Sequence, residues 1–414
     1  MADQRTFSTP RARRVTPLRH EGRDYLTTAQ TARVLGVKPE TIYAYVSRGR
    51  LVSARVDGIA GSVFAVDEVE ALTQRSTSRP PAGVVERIRT QITLLADDRI
   101  YFRGHDATDL ALGSNLEEVA EILWDQPVIW DPVLLPNNVF RQISALRTAS
   151  GRGIDTIKVA VDVLGSRDRF RHQITPDAVT TKAVDVLTNS VTALPLLNDQ
   201  PTRNSSVAAL LWPRISPIAA TPQRIRLLNA VLILLADHDL SAGTIAARVA
   251  ASARGSIYSV ITAGLGALDG PLHGGAAARA HSFLAEAMIN PESAVSIRLA
   301  SGTTIPGTGH VVYQGRDPRA DTIFEQLMKA TGGNRKVLAT ITELRPSIAR
   351  TETRFMNSDM ALAAFALRYD MPADAAETIF AIARITGWVA HALEEYQEPR
   401  LRFRPQGVYV GVRP

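Results

Sequence analysis

The sequence predicts a mainly α-helical protein, a large helical body that carries a small helix–turn–helix module at its N-terminus. Three observations point there. In the body, Asp374 is followed by Glu377 three residues on, and Ile379, Ile382, Ile385, Val389 and Leu393 then recur at three- and four-residue intervals, predicting a capped helix with one apolar face. Strand-like alternation is scarce beyond residue 84. Near the N-terminus two short helical patterns flank Gly36-Val37, and charge gathers there: residues 1–80 hold 13 Lys+Arg against 8 Asp+Glu, a surplus of five out of the chain's net +6.

Composition bounds the rest. A chain of 414 residues with 45% hydrophobic content can bury a large core, and its length suggests two or three domains. It has no cysteine, so neither a disulfide framework nor a thiolate zinc site is available, in keeping with a cytoplasmic location. Met1 to Arg5 is polar and opens no signal peptide. The longest plain apolar run, Ala230 to Ala236, is far shorter than the roughly 20 residues that span a bilayer, so no membrane association is expected. No fixed-period repeat suggests a solenoid.

Along the chain, residues 1–22 carry Arg11, Arg13, Arg14 and Arg19 with few apolar anchors, which predicts a flexible basic tail. Ala29 to Leu35 reads as a first helix, with Ala29, Ala32, Val34 and Leu35 able to face a core. Gly36-Val37 reads as a turn, and Pro39-Glu40 as the start of a second helix running through Arg48. Leu51 to Val66 alternates around Asp57-Gly58 and Gly61-Ser62 as a hairpin would, and Asp67 to Leu72 reads as a short acidic helix. Residues 23–73 together resemble the winged helix-turn-helix domain of excisionases and mercury-resistance-type regulators. The resemblance implies duplex DNA as partner, with the second helix in the major groove and Lys38, Thr41, Arg48 and Arg50 as contacts, near Tyr43 and Tyr45. Ile42 and Val46, one turn apart, should be core, and at least one of the two tyrosines should pack on the hairpin. A protein-interaction role for the module is the alternative. Residues 74–83, polar and rich in Pro and Ser, read as a linker.

Three histidines stand in helix-breaking contexts: His238 in Ala236-Asp237-His238-Asp239, His273 in Gly270-Pro271-Leu272-His273-Gly274-Gly275, and His310 in Pro306-Gly307-Thr308-Gly309-His310, ahead of Asp317-Pro318-Arg319. Their wide spacing offers no local ligand pair, so no metal is expected. His20, His105, His172, His281 and His391 read as surface or satisfied core residues. Further segments follow in order: Tyr101-Phe102-Arg103-Gly104, Asn357-Ser358-Asp359 with Pro372 beyond it, Phe380 to Arg384, and Arg404-Pro405 through Gly411. In this sequence and over residues from about 84 to 411 they resemble the citrate synthase family.

The resemblance implies a fold of two helical domains, a large one from 84–273 and 366–414 and a small one, 274–365, that closes over the cleft. It implies condensation of acetyl-CoA or propionyl-CoA with oxaloacetate to citrate or 2-methylcitrate. Asp359 would be the base, His273 would hydrogen-bond the enol oxygen, and His310 would polarise the ketone. His238, Arg319, Arg384 and Arg404 would hold the oxaloacetate carboxylates, Arg404 reaching across a homodimer. Arg316 would meet the CoA phosphates, and no cofactor is required. Other readings remain open for two residues: Asp359 as the N-cap of the helix from Met360 to Arg368, and Arg384 as an ion-pair partner within its own helix. Ser241, Ala277, Ala278, Gln314 and Met360 depart from the family's usual residues. A pocket that separates acetyl from propionyl discriminates one methyl group, about 1–3 kcal/mol, which no motif records. The competing function is a DNA-binding regulator that uses the body as a metabolite sensor.

Overall fold

The computed structural model describes residues 17–20, 23–35, 37–47, 49, 51–56, 59, 61–69, 88–148, 151–198, 206–270, 274–351 and 353–403. The chain divides into two compact units, Met1–Arg87 and Ile88–Pro414. In the first, β1 (Leu18–His20) and β2 (Arg23–Thr27) form an antiparallel hairpin, and β3 (Val63–Ala65) pairs antiparallel with β2 on its other side. Structure therefore begins inside the stretch expected to be a flexible tail: Leu18 pairs with Tyr25, and backbone hydrogen bonding recruits residues whose composition reads as unstructured. Helix α1 (Thr28–Leu35) starts where Thr27 and Gln30 exchange bonds, the Thr27 hydroxyl accepting from the Gln30 amide at 3.3 Å and the Gln30 side chain accepting from the Thr27 amide at 2.8 Å.

Helix α2 (Pro39–Ser47) places Ile42 in a core with Leu26, Ala32, Leu51, Phe64 and Val69. Tyr45 and Val46 pack against that core, whereas Tyr43 is 62% exposed. The segment read as a self-contained hairpin makes one bridge, Ala54 to Val63, and its strand β3 spends its main pairing on β2. Residues 66–69 are helical, and the remainder of the expected acidic helix lies outside the described residues.

The second unit opens with a three-stranded antiparallel meander: β4 (Thr93–Ala96), β5 (Arg99–Phe102) and β6 (His105–Asp106). Asp97 and Asp98, both at positive φ, form its two-residue turn, so the signal is an Asp-Asp pair where Asn-Gly or Asp-Gly would announce a hairpin. Helices follow: α3 (Ala107–Gly113), α4 (Leu116–Trp124), α5 (Asn137–Ala145), α6 (Gly153–Arg167), α7 (Pro176–Thr192), α8 (Val207–Ile215), α9 (Pro222–Leu235), α10 (Ala242–Ser252), α11 (Ile257–Leu268), α12 (Gly275–Ala287), α13 (Pro291–Ala300), α14 (Pro318–Lys329), α15 (Arg335–Ala349), α16 (Ser358–Arg368) and α17 (Ala375–Gln397). No helix among the described residues is long and apolar enough to cross a membrane.

Helix α17 was expected to show one apolar face; instead it runs through the middle of the core, with all residues from Ala375 to Leu393 buried. Small residues make this possible, because Ala376, Ala381, Ala383 and Ala390 let neighbouring helices approach on sides the isoleucines do not occupy. Its N-cap Asp374 does not cap its own helix. Its carboxylate instead accepts from the Gly153 amide at the start of α6, at 2.8 Å.

One crossing point in α17 sets the position of the segment after α9. The Gly387 amide donates to the Ala236 carbonyl at 3.0 Å, and a Cβ at Gly387 would stand 2.4 Å from both that carbonyl and an Asp237 carboxylate oxygen. No side chain fits without moving the backbone that carries His238. Gly387→Ala should therefore destabilise the body by about 1–3 kcal/mol through overpacking, read as a lower urea midpoint at unchanged m-value.

Candidate active site

Burial along α9, from Leu227 to Leu235 on nearly every side, fixes the end of that helix, and the chain leaves it through Asp237 and His238. A second approach comes from residues 306–319. Gly307 has φ +77°, and a Cβ there would lie 2.9 Å from that of Met360 and 3.0 Å from that of Ala280, so glycine is required where this loop passes between α12 and α16. Asn357 pins the loop to the third element. Its amide donates to the Gly307 carbonyl at 2.9 Å, its side-chain NH2 donates to the Gly309 carbonyl at 2.8 Å, and its side-chain oxygen accepts from the Asp359 amide at 2.9 Å as the N-cap of α16. Asp359 is therefore not the cap; it sits in the first turn of α16 with its carboxylate available.

These elements bring His238, His310, Arg319 and Asp317 into one cluster with Tyr313. The rings of His238 and His310 lie 5.0 Å apart, and both pack on Tyr313, at 5.5 and 4.8 Å. The Tyr313 hydroxyl is 3.0 Å from Nε2 of His238. Arg319 lies over the Tyr313 ring at 5.4 Å and is held by a bidentate pair with Asp317, Nε to Oδ1 at 3.0 Å and Nη2 to Oδ2 at 2.8 Å. Both partners are buried, and Asp317 also accepts from the Ser358 amide at 2.9 Å, which ties the pair to the start of α16.

Electrostatics follow from that burial. Desolvation, with Arg319 nearby, pulls His310 down to about 4, and desolvation with Arg319 and Arg384 holds His238 well below the usual histidine range. Both are neutral near pH 7. The Val312 amide donates to Nδ1 of His310 at 3.0 Å, so the neutral ring carries its proton on Nε2 and presents it outward. Desolvation pushes Asp359 up to about 6, reinforced by Asp317 and opposed by Arg319 and Arg279. Tyr313, pushed up to about 12 chiefly by burial, stays a neutral phenol.

Arg384 is the exception to the satisfied pattern. It is 2% exposed, stacks over Phe380 one turn back at 4.7 Å, and its Nε and Nη1 have no hydrogen-bond partner among the described residues. It forms no ion pair within its helix among those residues; burial lowers it to about 10, and Asp237 is the main opposing charge. A guanidinium held dry with two unused donors can take a carboxylate. Behind it lies a closed polar network. Asp237 accepts from the Thr93 hydroxyl at 2.6 Å and the Asp239 amide at 2.9 Å, and His391 stands 3.3 Å away. Arg248 donates to Nδ1 of His391 at 2.7 Å and pairs with Glu394 and Glu395.

His238, His310, Arg319, Asp359 and Arg384 are thus positioned by elements that meet, whereas His273 and Arg404 lie outside the described residues, as do Arg48 and Arg50 of the N-terminal module. Lys38 is exposed at the start of α2 and Thr41 is half-buried. Arg316 is exposed, 3.8 Å from Asp321, and Gln314 turns its side chain to the Val312 carbonyl. A cleft of about 660 Å³ opens at Asp359 and is lined by Ala278, Arg279, Ser282, Arg298 and Thr308. Ser241 is the N-cap residue of α10, its hydroxyl 3.1 Å from that of Thr244, and Ala277 and Met360 are buried. Sequence reasoning missed Tyr313 and the pairing role of Asp317. The signal was an aromatic midway between His310 and Asp317, in a loop otherwise made of exposed residues.

Comparison with known proteins adds independent weight. The family model described as citrate synthase, C-terminal domain, matches residues 83–406, and a helix-turn-helix domain model matches residues 25–77. Citrate synthase 2 of Bacillus subtilis is 27% identical over 360 residues, 81% of this chain and 96% of the relative. 2-Methylcitrate synthase 2 of Corynebacterium glutamicum is 29% identical over 349 residues, 75% of this chain and 88% of the relative. Among solved structures, Thermoplasma acidophilum citrate synthase in ternary complex with carboxymethyl coenzyme A and oxaloacetate superposes with a TM-score of 0.65 at 25% identity. That match covers 80% of this chain and 95% of the other.

The buried Asp317–Arg319 pair makes the site sensitive to the loss of one charge. Asp317→Asn should destabilise the body by about 3–5 kcal/mol in urea unfolding, because it strands a buried guanidinium.

Proposed function

The chain belongs to the citrate synthase family, and we propose that it joins C2 of acetyl-CoA or propionyl-CoA to the ketone carbon of oxaloacetate, in the cytoplasm. The observation that carries this reading is Arg384, a buried guanidinium with two unused donors, in electrostatic reach of His238, Arg319 and Tyr313. A dicarboxylate that enters there would satisfy it, with Arg319 and His238 within electrostatic reach of the same guanidinium. Arg404 would complete the cradle from the second subunit of a homodimer.

The chemistry then divides among this chain's own residues. Asp359 takes a proton from C2 of the thioester; its carboxyl near 6 is basic enough to accept that proton and still ionised at neutral pH. His273 donates a hydrogen bond to the thioester oxygen as the enol forms. The enol carbon bonds to the ketone carbon, and the Nε2 proton of His310 stabilises the developing alkoxide, a role for which its Val312-fixed tautomer is suited. Water then cleaves the thioester and CoA departs, so CoA is a substrate component and no cofactor is called for. Arg316, exposed beside Asp321, would meet the CoA phosphates.

A second activity is supported by the match of a helix-turn-helix domain to residues 25–77 and by the surplus of positive charge in residues 1–80. In this reading the module binds duplex DNA through Lys38, Thr41, Arg48 and Arg50, and a dimeric body presents two copies to paired half-sites.

Purified protein with oxaloacetate and either thioester should release free CoA, and Asp359→Ala should lose most of it. In the wild type kcat/KM should fall about tenfold per pH unit below about 6, because protonated Asp359 cannot act as the base. Protein that binds oxaloacetate yet releases no CoA from either thioester would instead be a metabolite-sensing regulator. For the module, deletion of residues 1–80 should abolish DNA retention at low salt and leave condensation largely intact. Failure of the full-length protein to be retained, including on its own upstream sequence, would make the module a protein-interaction domain.

A further inference from the structure

Between His310 and Asp317 the loop buries one side chain, Tyr313, and the residues on either side of it are exposed. Residues 311 and 312 are valines, and Val311 is 95% exposed. Within the loop, the Val312 amide is used on His310 and the Gln314 side chain returns to Val312. Among the described residues, two backbone hydrogen bonds carry residues 311–316 to another segment, and both end on one carboxylate. The Gln314 amide donates to Oδ1 of Asp98 at 2.7 Å, and the Gly315 amide donates to Oδ2 at 2.8 Å.

Asp98 is placed by the β4–β5 turn, where it and Asp97 have φ of 55° and 50°, and the turn is closed by a ladder from Ala96–Arg99 back to Thr93–Phe102. At the far end of the same strand, the Thr93 hydroxyl donates to Oδ2 of Asp237 at 2.6 Å. Asp237 precedes His238, and His238 meets the Tyr313 hydroxyl at 3.0 Å. The contacts close a ring: hairpin, Asp98, the 314–315 backbone, Tyr313, His238, Asp237, Thr93, and the hairpin again. Thr93 to Ala96 is an extended run of about 10 Å, and the turn that follows carries Asp98.

We propose that the β4–β5 hairpin is a strut that sets the separation of His238 from Tyr313 and His310, with Thr93 and Asp98 as positioning residues at its two ends. This rests on the reading of that cluster as the oxaloacetate site. A paired strand cannot stretch, so the loop is held at one distance from the end of α9, and the Tyr313–His238 bond forms without ordering a free loop at the moment of binding. Release of either end removes the constraint completely, because a strut fixed at one end sets no distance.

That property gives the test. Asp98→Ala, Thr93→Val and the double variant are compared in the full-length protein by calorimetric affinity for oxaloacetate, by KM for each substrate, and by hydrogen exchange of the 311–316 amides. Each single variant should weaken oxaloacetate binding roughly ten- to a hundredfold, the loss typical of a charge-assisted hydrogen bond, with KM for the acyl-CoA unchanged. The double variant should be no worse than the weaker single one, because both cut the same strut. Thr93→Val should also speed exchange at Gln314 and Gly315, which Thr93 does not touch, whereas Thr93→Ser should restore the wild-type behaviour and Asp97→Asn should change neither readout. Losses that multiply in the double variant, oxaloacetate affinity that is unchanged while exchange rises, or Gln314 and Gly315 amides unaffected by Thr93→Val would each overturn the proposal. Wild-type protein that releases no CoA would remove the condensation reading and leave the strut to be judged on binding and exchange; if oxaloacetate does not bind either, the exchange response to Thr93→Val decides it.

Discussion

Two buried guanidinium groups, Arg319 and Arg384, impose the charge balance to which the site is built. A desolvated cation costs several kcal/mol unless it is paired, and the two are treated in opposite ways. Arg319 receives a full bidentate partner in Asp317, two residues away, and becomes a fixed positive charge with little demand of its own. Arg384 receives a ring face and the distant charge of Asp237, which leaves two donors unmet. Around them both histidines are held neutral, since a third cation in the same volume would add repulsion to desolvation. What the cluster lacks is a hydrogen-bond acceptor on Nε and Nη1 of Arg384 among the described residues, the need that the proposed carboxylate ligand would meet.

The backbone geometry serves the same balance. Asn357 spends one side chain on two tasks, capping α16 and gripping the Gly309 carbonyl, so Asp359 and the His310 loop share a single anchor. Gly307 and Gly387 bring backbones closer than any Cβ permits, and each does so next to a site residue, Gly307 against Met360 beside Asp359 and Gly387 against Asp237 beside His238. Close backbone approach replaces side-chain packing where functional side chains need the room. The Arg248, His391 and Glu395 network is buried and brings His391 to 3.3 Å from Asp237, whose carboxylate is hydrogen-bonded by Thr93 and the Asp239 amide.

The substitutions that set this chain apart fall on different parts of that framework. Met360 and Ala277 are buried packing positions, and Ala278 lines the cleft at Asp359, where its small side chain leaves space. The Gln314 backbone amide carries an anchoring bond to Asp98 that no side-chain change removes.

By itself the sequence determined the helical class, the two-part organisation, and the residue types of the site, since glycine, proline and histidine clusters break helical periodicity where chain and chemistry both need it. It also determined which face of α2 is core, because Ile42 and Val46 are one turn apart. It could not show that α17 is buried on all sides, since small alanines look neutral in a periodicity count and only neighbouring helices reveal how closely they let others approach. It could not separate Asn357 as cap from Asp359 as free carboxylate, two acceptors within one turn whose roles depend on where the Gly309 carbonyl lies. Nor could it see the β4–β5 hairpin or its carboxylate on the Gln314 and Gly315 amides, 216 and 217 residues away. Local pattern records what a segment's own backbone prefers; which distant donor meets which acceptor, and which guanidinium is left unpaired in the dark of the core, is decided only when the tertiary fold brings them within hydrogen-bond reach.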